Sequence, residues 1–97
     1  MHVDITELAE AELESAVTWY KAQTPGMEQA FLNEFRAAVG RICSQPLLYQ
    51  EIETGIRRGL MNRFPYSVVY EYDTYTLRIL AVAHQHRYPQ YWVNQAR

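Results

Sequence analysis

Cysteine is almost missing from this chain. Cys43 stands alone among 97 residues, so no disulfide can form within it and nothing requires an oxidising compartment. Lysine is just as scarce, with Lys21 the single example. With a pI of 5.9, this weighs against tight, unaided binding to nucleic acid, which needs many phosphate-neutralising cations. No apolar run approaches the ~18–20 residues of a membrane helix. The first ten residues, MHVDITELAE, have neither the basic start nor the apolar core of a secretion signal. Repeats, linkers and low-complexity stretches are also lacking. These absences predict a soluble, cytoplasmic protein. An apolar content of 48% with 21% charged residues is ordinary globular usage, and a chain this short buries roughly 60–70% of its unfolded surface, enough for one core.

The formal net charge of −2 conceals an uneven distribution. Residues 1–53 carry Lys21, Arg36 and Arg41 against nine acids, a net of −6. Residues 54–97 carry six arginines against Glu71 and Asp73, a net of +4. Such a division gives either a basic face that meets an acidic partner or two solvated faces that neutralise one another.

The strongest pattern lies between Arg63 and Arg87, RFPYSVVYEYDTYTLRILAVAHQHR. Tyr66, Val68, Tyr70 and Tyr72 alternate with Ser67, Val69, Glu71 and Asp73. Leu77, Ile79, Ala81 and Ala83 then alternate with Arg78, Leu80, Val82, His84 and His86. Period-two alternation of β-branched and aromatic residues predicts two antiparallel strands, with Asp73-Thr74-Tyr75 as their turn. Before them, residues 1–5 suggest a short strand, and Thr6 an N-cap. Apolar residues at helical spacing (Ala9, Leu13, Ala16, Val17, Tyr20) predict a helix to about Gln23, with Glu10, Glu12 and Glu14 largely off the stripe. Thr24-Pro25-Gly26 breaks it. Phe31, Phe35, Ala38 and Ile42 define a second helix from about Met27 to Ser44, and the short joint predicts a helical hairpin. Pro46 to Gly55 reads as a loop with Leu47, Leu48 and Tyr49 tucked beneath it, and Ile56 to Asn62 as a further strand. The expected architecture is α+β: strand, two helices, then three strands, with the hairpin packed on a small antiparallel sheet.

Several residues could carry chemistry. His84 and His86, two apart on a strand, would point the same way with Cα atoms ~6–7 Å apart, and both titrate near neutrality. They could equally bond to backbone at a strand end. An H-x-H pair is also a metal motif, but no third ligand accompanies it and His2 is remote, so no metal and no cofactor are expected. Arg78 shares the strand parity of the two histidines. The strand tyrosines fit packing under the helices better than base stacking. Trp19 lies off the helical stripe, and with the rim of Tyr20 it suits either a docking site for a partner's helix or a covered core edge.

These pieces in order resemble a known family. A helical hairpin with Trp19-Tyr20 near the end of its first helix, the P-x-x-Y loop from Pro46 to Tyr49, RFPYSVVY, and LAVAHQHRYPQYW together resemble the RelE/ParE toxin superfamily, the toxins of type II toxin–antitoxin modules often called plasmid stabilisation proteins. The resemblance covers nearly the whole chain and implies a single toxin domain over residues 1–97. It also implies neutralisation by an antitoxin whose extended or helical segment wraps the toxin, with Trp19 and Tyr20 as antitoxin-binding residues. A homodimer or a toxin–antitoxin hetero-oligomer would fit.

The superfamily has two branches. One cuts messenger RNA on the ribosome without a metal, using cations on the sheet and a tyrosine near the C-terminus. Metal-free cleavage needs a base for the 2′-hydroxyl, an acid for the leaving oxygen and cations on the phosphate. In this chain the resemblance points to Tyr91 for catalysis and to Arg57, Arg58 and Arg63 for phosphate or partner contact; strand spacing adds His84 and His86 as base and acid and Arg78 as a further cation, and Arg87 could bind a phosphate. The other branch, similar to ParE, inhibits DNA gyrase and has lost most of that basic cluster. Ser67 stands where the cutting branch carries arginine, and a lysine cluster is missing. These departures favour the gyrase-inhibiting branch over a ribosome-dependent endoribonuclease, with an inert antitoxin-binding relic as a third possibility.

Overall fold

Thr6 both ends the first strand and starts the first helix. Its backbone is extended, its hydroxyl accepts the amide of Ala9 at 3.2 Å, and the same hydroxyl donates to the carbonyl of Leu80. One short polar side chain thus satisfies a free helix amide and fixes the helix on the sheet. The computed structural model describes residues 1–85. Its elements are β1 (His2–Ile5), α1 (Glu7–Gln23), α2 (Met27–Ser44), β2 (Gln50–Glu53), β3 (Ile56–Leu60), β4 (Tyr66–Tyr72) and β5 (Thr76–His84). Helix α2 begins at Gly26, whose φ of 97° is one that residues with a Cβ rarely adopt, and the Glu28 carboxylate accepts the Gly26 amide at 2.7 Å.

Among the described residues the sheet has the order β1-β5-β4-β3-β2. All its pairs are antiparallel except β1 with β5, which run parallel. The α+β architecture and both helices stand where the apolar spacing put them. The stretch read as a loop contains a strand. β2 pairs with β3 at the sheet margin, and its residues Gln50, Glu51, Ile52 and Glu53 are half or fully exposed, so it carries no alternation to detect.

Both helices pack on one face of the sheet. Phe31, Phe35, Ala38 and Ile42 of α2 and Ala9 and Ala16 of α1 meet Val68, Tyr70, Leu77, Ile79 and Val82 from the strands. At Gly59 the sheet and α2 come so close that a Cβ would lie 2.8 Å from Ile42 Cδ1. A smaller cluster of Ile56, Val69, Leu80 and Ala81, flanked by Leu8 and Ile52, lies on the other face. The loop leucines are not tucked away. Leu47 is 66% and Leu48 70% exposed, and Tyr49 alone of the three packs against the core.

The β4–β5 register decides what faces what. Tyr70 pairs with Ile79 but Val69 with Ala81, leaving Leu80 as an extra residue in β5. A β-bulge of this kind turns the strand and exchanges the faces that alternate residues occupy. Leu77 and Ile79 look toward the helices before it, and Val82 does so after it. Strict alternation would have placed Arg78 and His84 together; instead Arg78 lies opposite Glu71 and His84 opposite Tyr66, on different faces.

Candidate functional site: an aromatic groove beside a strand edge

Where α1 diverges from the end of β5, the helix face opens into a hollow of about 690 Å³. Tyr20, Tyr66 and Val82 form its floor, Trp19 and Glu12 its helical wall, and His84 its strand end. A second hollow of about 410 Å³ continues past Trp19 toward Met27, Phe64 and Arg63. Trp19, 56% exposed, therefore stands between two depressions.

The floor is rigid because its rings are interlocked. Tyr20 meets Trp19 edge-on at 5.0 Å, stacks on Phe31 at 5.2 Å and contacts Phe64 edge-on at 5.0 Å. Tyr66 abuts Phe31 at 5.1 Å on one side and the His84 ring at 5.2 Å on the other. Edge-to-face pairs at these separations add roughly 0.5–1.5 kcal/mol each beyond area burial. Burial raises the Tyr20 phenol above its ordinary value, and the nearby Tyr66 adds to this. Tyr66 is raised likewise by burial first and then by the negative charge of Glu12. Both therefore stay neutral at physiological pH and act as hydrogen-bonding apolar surface.

Glu12 is the residue that sequence reasoning missed. It lies three residues after Ala9 and four before Ala16, both buried, so helical geometry sets it beside the apolar stripe and not on the solvent side. Its Oε1 accepts the backbone amide of Val82 at 2.9 Å. An acid placed at i+3 and i−4 from core alanines was the available signal.

The arginines do not converge. Arg57 faces the helices, where its guanidinium donates to the carbonyls of Tyr49 at 2.7 Å and Leu47 at 3.4 Å. Arg58 and Arg78 lie on the other face; Arg58 reaches Gln50 at 3.5 Å and Arg78 bridges to Glu71 at 3.2 Å. Arg63 is exposed at the edge of the second hollow. Ser67 is 2% exposed, and its hydroxyl has no hydrogen-bond partner among the described residues. An arginine at that position would have to bury its charge. His84 lines the groove, whereas His86, Arg87 and Tyr91 lie outside the described residues, as does the segment 88–97. No group of three or more metal-ligating side chains occurs among the described residues.

The family model of the ParE toxin of the type II toxin–antitoxin system, parDE, matches residues 3–89. The chain belongs to this family. It is the toxin component of a type II toxin–antitoxin system, within the RelE/ParE superfamily. Its fold is similar to a chain of the chromosomal ParDE toxin–antitoxin system from P. aeruginosa, with a TM-score of 0.68 and 16% identity, over 87% of this chain and 95% of that one. At that identity the likeness concerns the fold alone. No curated protein matches the sequence significantly. Among the described residues of this ParE-family toxin, no helix is long and apolar enough to cross a membrane.

Proposed function

We propose that this toxin acts as a ParE-like inhibitor of DNA gyrase and is held silent by a cognate antitoxin seated on the Trp19–Tyr20 groove. The dispersal of the cations carries this reading. Metal-free RNA cleavage requires several positive groups on one phosphate, yet Arg57 is committed to two loop carbonyls and faces away from Arg58 and Arg78. Ser67, buried, occupies the position where a cutting relative would carry arginine. The groove supports the antitoxin part, since an exposed tryptophan beside interlocked rings is a typical anchor for a partner.

A second reading draws on His84, whose imidazole lies at the end of a solvent-reachable hollow against Tyr66. In it the protein is a ribosome-dependent endoribonuclease with His84 or His86, Arg87 and Tyr91 as the reacting groups. Tightly controlled expression separates the two. Growth arrest with intact messages and induced DNA-damage signalling, unchanged in His86→Ala and Tyr91→Phe, is expected. Truncated messages that vanish in both variants would replace gyrase with the ribosome as target. Unimpaired growth would leave only an antitoxin-binding relic.

A further inference from the structure

The sheet has two margins, and they differ in how they meet another chain. β2 is irregular between Glu51 and Glu53, and a strand pairing with its outer edge would meet both carboxylates. A bulge and like charges are what blunt an edge. β1 runs beside β5 without interruption, from His2 beside Thr76 to Ile5 beside Ile79. The amides of His2 and Thr6 donate to the carbonyls of Tyr75 and Ile79. Alternate residues of a strand address opposite neighbours, so the even positions are bonded to β5 and the amides of Val3 and Ile5 point outward.

The side chains of β1 follow the same alternation. Val3 and Ile5 share the parity of Leu77 and Ile79, on the helix side of the sheet, yet with Met1 they remain exposed. His2 and Asp4 share the parity of Arg78, on the other side, and are joined to each other at 2.7 Å. The stretch Met1-His2-Val3-Asp4-Ile5 is therefore its own complement when reversed: apolar at its ends and centre, with a base and an acid between.

We propose that β1 is a self-pairing edge, joining two copies of this chain antiparallel about Val3 so that one sheet continues through both. Val3 of each copy then exchanges both backbone hydrogen bonds with Val3 of the other, and each Ile5 amide meets the other copy's Met1 carbonyl. His2 of one copy stands opposite Asp4 of its partner in the closer kind of cross-strand pair, where opposite charges attract. A shift of two residues in one direction would set Asp4 on Asp4, and in the other His2 on His2, so the charges select a single register. Arg78, the cation beside Asp4 on β5, is already bridged to Glu71. The net charge of −2 on each chain opposes pairing only weakly once salt screens it. A seam of this length falls short of the roughly 1,200 Å² that stable interfaces bury, so the dimer is a weak one that forms as concentration rises.

Sedimentation equilibrium of the whole chain, from about 10 μM to about 1 mM, tests this. The apparent mass is expected to climb from 11.4 kDa toward twice that value. Val3→Pro removes an outward amide and no bond to β5, so it should weaken association about tenfold or more while the 15N spectrum stays native-like. His2→Asp sets acid against acid and should weaken it about fivefold, and the exchange His2→Asp with Asp4→His should restore it to within about twofold. A chain that stays monomeric throughout overturns the proposal and leaves β1 to a strand of some other protein. Association indifferent to Val3→Pro overturns it in favour of another face, and an exchange variant no better than His2→Asp overturns the register.

Discussion

The two ends of the sheet solve the same problem in opposite ways. Each has backbone groups that no neighbouring strand satisfies, and each meets them with a long charged side chain. Near β3, Arg57 donates to the carbonyls of Leu47 and Tyr49, while the buried Tyr70 phenol donates to the Pro46 carbonyl at 2.6 Å. The loop before β2 is thereby pinned from beneath, which is why it can present Leu47 and Leu48 to solvent in one conformation. Near β5, Glu12 accepts a strand amide above an open hollow. In the first arrangement a half-buried arginine reaches two loop carbonyls from the helix-facing side of β3. In the second a carboxylate of α1 reaches one strand amide. A charged group bound to backbone thus lies beneath a loop at one end and beside an open hollow at the other.

The sharpest way to break this comparison is Arg57→Ala. It removes a charge-assisted bond and leaves the Tyr49 carbonyl unmatched beside the core, so a loss of about 2–3 kcal/mol in urea denaturation is expected. Protease cleavage near Leu47-Leu48 should accelerate at the same time, because the loop loses its anchor. A loss below ~0.5 kcal/mol would show that the loop is held by other means.

Tyr70→Phe should cost less, about 1–2 kcal/mol, since one neutral donor is lost and the Pro46 carbonyl is stranded. It also has a pH signature. Burial pushes the Tyr70 phenol up to about 12, with Arg57 partly opposing and Tyr49 adding. A raised phenol pKa means that the folded state keeps its proton longer than the unfolded chain, whose tyrosines ionise near 10. The contribution is therefore whole below pH ~10 and declines as pH rises, until it is gone above about 12. Wild-type denaturation curves should fall across that window, and Tyr70→Phe should fall less steeply. Equal slopes would mean that the phenol titrates as it does in water.

How far such contrasts can be read from sequence depends on whether the physical cause is local. The two helices were legible because Phe31, Phe35, Ala38 and Ile42 recur at helical spacing, and the Thr6 cap because it precedes an apolar-periodic run. β2 was not legible, since a half-exposed marginal strand such as Gln50-Glu51-Ile52-Glu53 is stabilised by pairing and not by alternation. Nor was the bulge at Leu80, because LRILAVAH is apolar at both parities and either register suits its composition. That one extra residue placed Arg78 and His84, which strand parity had put together, on different faces. The exposure of Trp19 beside Tyr20 could be seen in advance because Trp19 departs from the stripe. The acid beside it could not, as its role depends on where β1 ends.

The smallest expected change in stability comes from Glu12→Gln. The amide oxygen of glutamine can accept the Val82 N–H as the carboxylate does, so weakening this one bond should cost no more than ~1 kcal/mol, the difference between a charged and a neutral acceptor. Substituting alanine removes the acceptor altogether, yet Val82 borders an open hollow that water can enter, so the penalty stays well below that of Arg57→Ala. Thermal melts of Arg57→Ala, Tyr70→Phe, Glu12→Ala and Glu12→Gln on one scale therefore measure how much space surrounds each bond. If Glu12→Ala destabilised the fold as much as Arg57→Ala, the β5 end would be as closed as the β3 end. If it is mild, that end is open to solvent, and its charged hydrogen bond holds little that water cannot replace.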